Sequence, residues 1–118
     1  MTTTPTGPRV TPEDVEAAIA SEHYFTAYAG REGAIVRGEY VGRERPTQDG
    51  ADLEPLKLLT ICVLVLDNGF TVVGTSACVS PENYNAEIGQ RVARTNAVEE
   101  IWPLLGFRLR DTVRGVRA

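Results

Sequence analysis

The stretch LLTICVLVLDNGFTVVGTSA, residues 58–77, decides the fold of this chain. Two apolar, β-branched segments, residues 58–66 and 70–77, flank Asp67-Asn68-Gly69, and segments of this composition are typical of strands. An Asn-Gly pair supplies the two positive-φ residues of a type I′ turn, which joins antiparallel strands. The stretch therefore predicts a β-hairpin that turns at Asn68-Gly69.

Both faces of the first predicted strand are apolar. Alternate side chains point to opposite faces of a strand, here Thr60, Cys62, Leu64 and Leu66 on one face and Ile61, Val63 and Val65 on the other. A strand of this kind is covered on two sides. Because a chain of 118 residues builds only a modest core, we expect a second copy to provide part of that cover, and we predict a homo-oligomer.

Two helices are predicted from their start signals. Ser80-Pro81-Glu82 combines an N-cap residue, a proline at the first helical position and an acid, ahead of a pattern that continues to Trp102. This predicts the main helix over Pro81 to Trp102, ended by Pro103 and Gly106. Thr11-Pro12-Glu13-Asp14 carries the same signals and predicts a short helix over residues 12–21.

The remaining segments have weaker patterns. Residues 1–10 are expected to be disordered, and His23–Tyr28 is aromatic and β-branched enough for a strand. Residues 29–55 are interpreted as a long loop in which Ala34–Arg37 and Glu39–Val41 have weak strand character. The segment from Phe107 onward is compatible with a strand, a helical turn or partial disorder.

Together these elements predict an α+β fold: an antiparallel sheet with a central β-hairpin packed against one long helix, plus a short N-terminal helix. Residues 11–118 are expected to form a single domain.

Composition excludes several classes of function. The formal net charge is −4, from 12 basic and 16 acidic residues, so no general field attracts nucleic acid. The longest apolar run, Leu58–Leu66, is far too short to span a bilayer. We expect a cytoplasmic protein that binds neither membrane nor nucleic acid, with Cys62 and Cys78 reduced and structural.

Catalytic patterns are scarce. The chain contains a single histidine, His23, and no serine or cysteine lies in a nucleophile elbow, a phosphate-binding loop or a metal-ligand spacing. We therefore expect a protein that is not an enzyme and that uses neither a metal nor a cofactor.

One arc of the main helix is polar, and it comprises Asn83, Glu87, Gln90, Arg91 and Arg94. In one interpretation it is a solvated face with Glu87–Arg91 and Gln90–Arg94 as stabilising pairs.

In the other interpretation it binds a nucleotide-like ligand. Arg91 and Arg94 would grip phosphate, and Phe70 or Tyr84 would stack on the base. The side chains of Asn83 and Asn96 would bond to base or ribose. The helix start at Ser80–Asn83 could also receive an anion.

Several segments carry a resemblance to a known family. Residues 59–72 and 76–89, with the Asn-Gly-Phe and Ser-Pro-Glu-Asn-Tyr sequences within them, resemble a family of small tailed-phage and prophage proteins. Residues 11–16, 93–97 and 101–104 continue the likeness. That family is similar to the first type of Thoeris anti-defence protein, a phage sponge that sequesters cyclic ADP-ribose isomers made by bacterial TIR immune enzymes.

The resemblance implies a non-catalytic trap for cyclic nucleotides in the cytoplasm of an infected bacterial cell. It also implies dimers or hexamers with pockets between protomers, some of which accept cyclic dinucleotides. Residues 29–55 depart from the shorter relatives in this family. Two alternatives stay open: an interaction module that inhibits a host enzyme through that long segment, and an enzyme that cleaves the messenger.

Overall fold

A computed structural model describes residues 7–39 and 44–115. The first half of the chain forms α1 (Pro12–Ala17), β1 (Ile19–Thr26), α2 (Ala27–Val36) and α3 (Leu53–Lys57). The second half forms β2 (Leu59–Leu66), β3 (Thr71–Ala77), a 3₁₀ turn (Pro81–Asn83) and α4 (Ala86–Arg114). The fold is α+β, as the sequence predicts.

The three strands form one antiparallel sheet in the order β1-β2-β3. The predicted hairpin is confirmed, but its turn is not of type I′. Gly69 is the residue there with positive φ, 87°, and no described residue other than glycine has one. Leu66 O accepts from Gly69 N at 2.9 Å, and Leu66 N donates to Phe70 O at 2.8 Å. The loop is therefore a three-residue one, with a single glycine in the left-handed region.

The N-terminal elements differ from prediction in their bounds. Thr11 caps α1 as predicted, with its hydroxyl accepting from Asp14 N at 3.2 Å. The helix ends at Ala17 and not at Ser21, because the chain pairs with β2 from Ile19 onward, opposite Leu66. The strand predicted over His23–Tyr28 is observed over Ile19–Thr26.

The interpretation of residues 29–55 as a loop is wrong at both of its ends. Helix α2 occupies Ala27–Val36, including most of the strand predicted at Ala34–Arg37, and α3 begins at Leu53. The Thr26 hydroxyl caps α2 by accepting from Ala29 N at 3.0 Å. A second strand was predicted at Glu39–Val41. Glu39 is not part of a strand, and the other two residues lie outside the residues that the structure describes.

The main helix starts later and runs further than predicted. Asn85, not Ser80, caps it, since Asn85 Oδ1 accepts from Ile88 N at 3.1 Å. The helix continues through Pro103 because Ile101 and Leu105, on either side of it, are buried in the core, whereas Pro103 itself is exposed. The segment from Phe107 is therefore helical, and α4 ends at Arg114, capped by Gly115 with φ 72°.

Helix α4 covers one face of the sheet. The core between them is formed by Val15, Ala18, Cys62, Leu64, Leu66, Val72, Ala93, Ala97, Ile101 and Leu105. Burial in this core raises the pKa of the Cys62 thiol. Both cysteines are unbridged. Over the described ranges, no helix is both long and apolar enough to cross a bilayer.

Among the residues that the structure describes, no comparable layer covers the other face of the sheet. On β2 the residues facing α4 are buried, but the alternate residues, such as Ile61 and Val63, are only half-buried. The neighbouring strands contribute Phe25 and Val73 to this face, with exposed fractions of 39% and 50%. The sequence predicts that β2 is buried on both faces. Within a single copy, only the face toward α4 is fully buried.

Gly74 on β3 determines how closely α4 approaches the sheet. A Cβ atom placed on Gly74 would lie 2.1 Å from Ala93 O and 2.2 Å from Ala97 N, both backbone atoms of α4. Backbone atoms cannot move aside as a flexible side chain can. Any larger residue at position 74 would therefore push α4 away from the hairpin.

We predict that Gly74→Ala destabilises the protein by about 3 kcal/mol or more, because overpacking here displaces a whole helix. Gly106→Ala is the matched control, since a Cβ on that α4 residue meets open space. It should stabilise by up to about 1 kcal/mol through helix propensity. Thermal and urea unfolding measure both changes. Equal stability of Gly74→Ala and wild type would contradict this packing.

Candidate functional site

A cavity of about 150 Å³ lies where the open end of the hairpin meets the start of α4. Leu59 and Ala77 pair at this end of the sheet, and the 3₁₀ turn then brings the chain across to Asn85. We call it the Thr60 cavity, and it is lined by Leu58, Thr60, Ser76, Ala77, Cys78, Asn83, Tyr84, Asn85, Ile88 and Gly89.

Thr60 is the distinctive residue of the cavity. It is 3% exposed, and its Oγ1 is the one buried side-chain polar atom in the described part of the chain without a hydrogen-bond partner. Such a group costs about 1–3 kcal/mol when it is left unsatisfied. Gly89 gives the hydroxyl room, because a Cβ on Gly89 would lie 2.8 Å from Thr60 Oγ1.

Other polar side chains in the lining fall into two groups. Cys78 Sγ donates to Ser80 O at 3.1 Å, and Asn85 is occupied as the cap of α4. The side chains of Ser76, Asn83 and Tyr84, by contrast, form no hydrogen bond with any described residue. Together with Thr60, these three side chains can bond to a molecule in the cavity.

The cavity is lined by uncharged residues, with two carboxylates close to it in sequence. Glu82 accepts a hydrogen bond from the Ser80 hydroxyl, which lowers the pKa of Glu82. Glu87 is exposed in the first turn of α4. The lining includes no arginine or lysine. Electrostatically the cavity therefore suits an uncharged group better than a phosphate.

Arg94 lies outside the cavity, in an ion-pair network that ties α4 to α1 and β1. Its guanidinium donates to both oxygens of Glu16 at 3.0 and 2.8 Å and to Glu22 Oε1 at 2.9 Å. Tyr24 donates to the same Glu22 oxygen at 2.7 Å. We call these four residues the Arg94 clamp.

Hydrogen bonds from Arg94 lower the pKa of both carboxyl groups in the clamp. The hydrogen bond with Glu16, followed by the one with Glu22, raises the pKa of Arg94. The pKa of Tyr24 is raised mainly by burial and next by its hydrogen bond to Glu22. Since one guanidinium already faces two carboxylates, Arg94 has little capacity left for a phosphate.

The residues proposed from sequence do not form one site. Asn83 and Tyr84 meet in the Thr60 cavity. Asn96 donates from Nδ2 to Thr75 O at 2.8 Å, which anchors α4 to β3. Glu87 and Arg91 are exposed and form no ion pair within the described ranges, so the predicted Glu87–Arg91 pair is absent there.

Phe70 lies at the opposite end of the hairpin. It lines shallow grooves with Pro103 and Leu104, and it is 56% exposed. Leu104 lies fifteen positions after Gly89 in the helix, a distance of about 22 Å along α4. Within one copy, Phe70 and the Thr60 cavity therefore cannot contact the same base.

Sequence reasoning missed Thr60 and Gly89 as site residues. The available signals were a hydroxyl residue within an otherwise apolar strand and a glycine inside a helical pattern. Glycine within a helix costs about 1 kcal/mol relative to alanine, so its presence calls for a packing or functional reason. Here that reason is the approach of α4 to Thr60.

Comparison with known proteins identifies a family. The model of the family described as "Phage protein (N4 Gp49/phage Sf6 gene 66) family" matches residues 10–113. No curated protein and no solved structure matches the chain.

We predict that the Arg94 clamp stabilises the fold near neutral pH and not in acid. The folded pKa values of Glu16 and Glu22 lie below their ordinary value of 4.5, so the stabilisation is present above that value. It is lost as pH falls through the folded values. At about pH 6 the double variant Glu16→Gln/Glu22→Gln should be less stable than wild type by about 1 kcal/mol, and this difference should shrink as the pH falls below 4.5 and through the folded values.

The control for the clamp is Glu99→Gln/Glu100→Gln, which removes two exposed carboxylates of α4 that form no ion pair with a described residue. Its stability should follow that of wild type across the same pH range. Thermal unfolding monitored by circular dichroism gives both comparisons. A stability difference for the clamp variant that does not decrease at any pH below 4.5 would contradict the assignment.

Proposed function

The chain belongs to the phage protein (N4 Gp49/phage Sf6 gene 66) family, and we propose that it is a sponge for cyclic nucleotide immune signals. It would act in the cytoplasm of the infected bacterial cell. It would bind cyclic ADP-ribose isomers or cyclic dinucleotides intact and keep them from the immune effector. The phage family supports the biological setting, and the likeness to the first type of Thoeris anti-defence protein supports the ligand class.

The observation that carries the proposal is the unpaired Thr60 hydroxyl in its cavity. A ligand that bonds to this hydroxyl removes a cost that the free protein bears. Asn83 and Tyr84 offer further polar groups on the same wall of the hairpin–helix junction. Binding thus completes the hydrogen bonding of the cavity.

The chemistry of the lining supports holding over cleavage. Hydrolysis of a pyrophosphate or a glycosidic bond needs an acid and a base positioned on the scissile bond. The residues that line the cavity include no histidine, aspartate, glutamate, lysine or arginine. Sequestration requires only affinity, because each bound messenger lowers the free concentration by mass action.

We extend the proposal to a homo-oligomer. Among the described residues, no layer comparable to α4 covers the sheet face that carries Ile61, Val63 and Val73, and on α4 the side chains of Ile88 and Val92 are partly exposed. Apolar surface left in this way is covered in many proteins by a second subunit. Arg91 lies between Ile88 and Val92, so contact through this side of α4 would bring a cation to the neighbouring copy.

A second candidate function is an interaction module that inhibits a host enzyme. It is favoured by the end of α2, where Ile35 and Val36 have exposed fractions of 42% and 83%. Exposed aliphatic side chains at the end of a short surface helix are suited to docking on a partner protein.

One experiment tests the sponge, the oligomer and the alternatives together. The protein is incubated with cyclic ADP-ribose isomers and cyclic dinucleotides and passed through size exclusion with light scattering, and the protein peak is heated and analysed by mass spectrometry. We expect intact ligand in a peak of at least twice 12.8 kDa. Cleaved ligand would support an enzyme, no ligand would leave the interaction module, and a 12.8 kDa peak would exclude the oligomer.

A further inference from the structure

Packing alone does not explain a threonine at position 60. The residue lies in β2 between Leu59 and Ile61, and valine has nearly the same shape without a hydroxyl. Valine there would remove the cost of an unpaired buried hydroxyl, about 1–3 kcal/mol.

Gly89 on α4 lies directly against Thr60. A Cβ at position 89 would clash with Thr60 Oγ1, so α4 carries a glycine where alanine would favour the helix. Because valine at position 60 would crowd position 89 equally, the close approach of α4 explains the glycine, and the unpaired hydroxyl is the one cost that packing leaves unexplained.

The size of the cavity limits what the hydroxyl can bind. A volume of about 150 Å³ is equivalent to about five water molecules at roughly 30 Å³ each. Pockets for whole drug-sized ligands measure about 300–1,000 Å³. The Thr60 cavity therefore takes one ring of a larger ligand, while the rest of that ligand stays outside.

The lining limits the chemistry of that ring. It offers no cation that could neutralise a phosphate group, so an uncharged ring fits it better. Leu58, Ala77 and Ile88 supply apolar walls and Tyr84 an aromatic one. Polar groups come from Thr60, Ser76 and Asn83, each of which can both donate and accept.

We propose that the Thr60 cavity binds the nucleobase of the messenger, with Thr60 and Asn83 bonding to its polar edge. A base has apolar faces and a polar rim, which matches apolar walls and a hydroxyl at the floor, whereas a ribose carries hydroxyls on several sides. The choice of a nucleobase rests on the proposed function. The phosphates then lie outside the cavity, where an arginine such as Arg91 of a neighbouring copy can contact them.

The test uses adenosine as the probe and calorimetric titration of the full chain. Thr60→Val should weaken adenosine binding by about tenfold, the loss of one hydrogen bond, while the melting temperature stays level or rises. Gly89→Ala fills the space beside Oγ1 and should abolish binding. The matched control is Thr75→Val, which removes an exposed hydroxyl of β3 and should change neither quantity. Ribose 5-phosphate, the sugar probe, should not bind.

The outcomes distinguish failure of the base-binding proposal from failure of the sponge proposal. If Thr60→Val binds adenosine as wild type does, or if wild type binds ribose 5-phosphate and not adenosine, the base assignment is overturned even when cyclic nucleotides are taken up. If wild type takes up no cyclic nucleotide but binds adenosine in a Thr60-dependent manner, the sponge is overturned and the base pocket stands. Because Thr60→Val is expected to fold at least as well as wild type, a loss of affinity in it reports on the ligand contact.

Discussion

The backbone contact between Gly74 and α4 is the constraint on which the rest of the structure depends. With no side chain at position 74, Ala93 and Ala97 lie against the strand itself, and the small residues Gly89, Ala93 and Ala97 form the inner side of the helix. Close approach of this kind buries both backbones and fixes the height of the helix above the sheet. Asn96 on one flank and Arg94 on the other then fix its rotation, by bonds to Thr75 and to Glu16 and Glu22.

The candidate site follows from that constraint. Because α4 lies so close to the hairpin, its first turns pass directly over Thr60, and only glycine fits at position 89. The 3₁₀ turn at Pro81–Asn83 closes the end of the same space and places Asn83 and Tyr84 in its wall. The close contact of Gly74 with Ala93 and Ala97 in the middle of α4 thus determines the shape of the small cavity at the start of the helix.

Local signals in the sequence predicted most of the secondary structure. They predicted few of the contacts between residues that are distant in sequence. Asp67-Asn68-Gly69 marked the hairpin and Thr11-Pro12 marked α1, because turns and caps are encoded by adjacent residues. Ser80-Pro81 was misleading as a cap, since Pro81–Asn83 forms a separate turn and Asn85 caps α4. Helix α2 was missed because glycines at positions 30 and 33 weaken its pattern.

The site residues illustrate the same limit. Asn83 and Tyr84 were predicted and lie in the cavity, whereas Arg94 was predicted as a phosphate ligand and instead pairs with Glu16 and Glu22. Those acids are more than 70 residues distant in sequence, so no helical spacing could reveal them. The importance of Thr60 and Gly89 likewise depends on the contact between strand and helix.

The central claim is that this junction of hairpin and helix is where the ligand binds. Amide chemical-shift mapping during titration with a cyclic ADP-ribose isomer tests it most directly. We expect the largest shifts at Thr60, Asn83 and Gly89, with the amides of Asn68 and Phe70 at the far end of the hairpin little changed. Shifts confined to the Asn68–Phe70 end, or no shifts at ligand concentrations well above that of the protein, would contradict it.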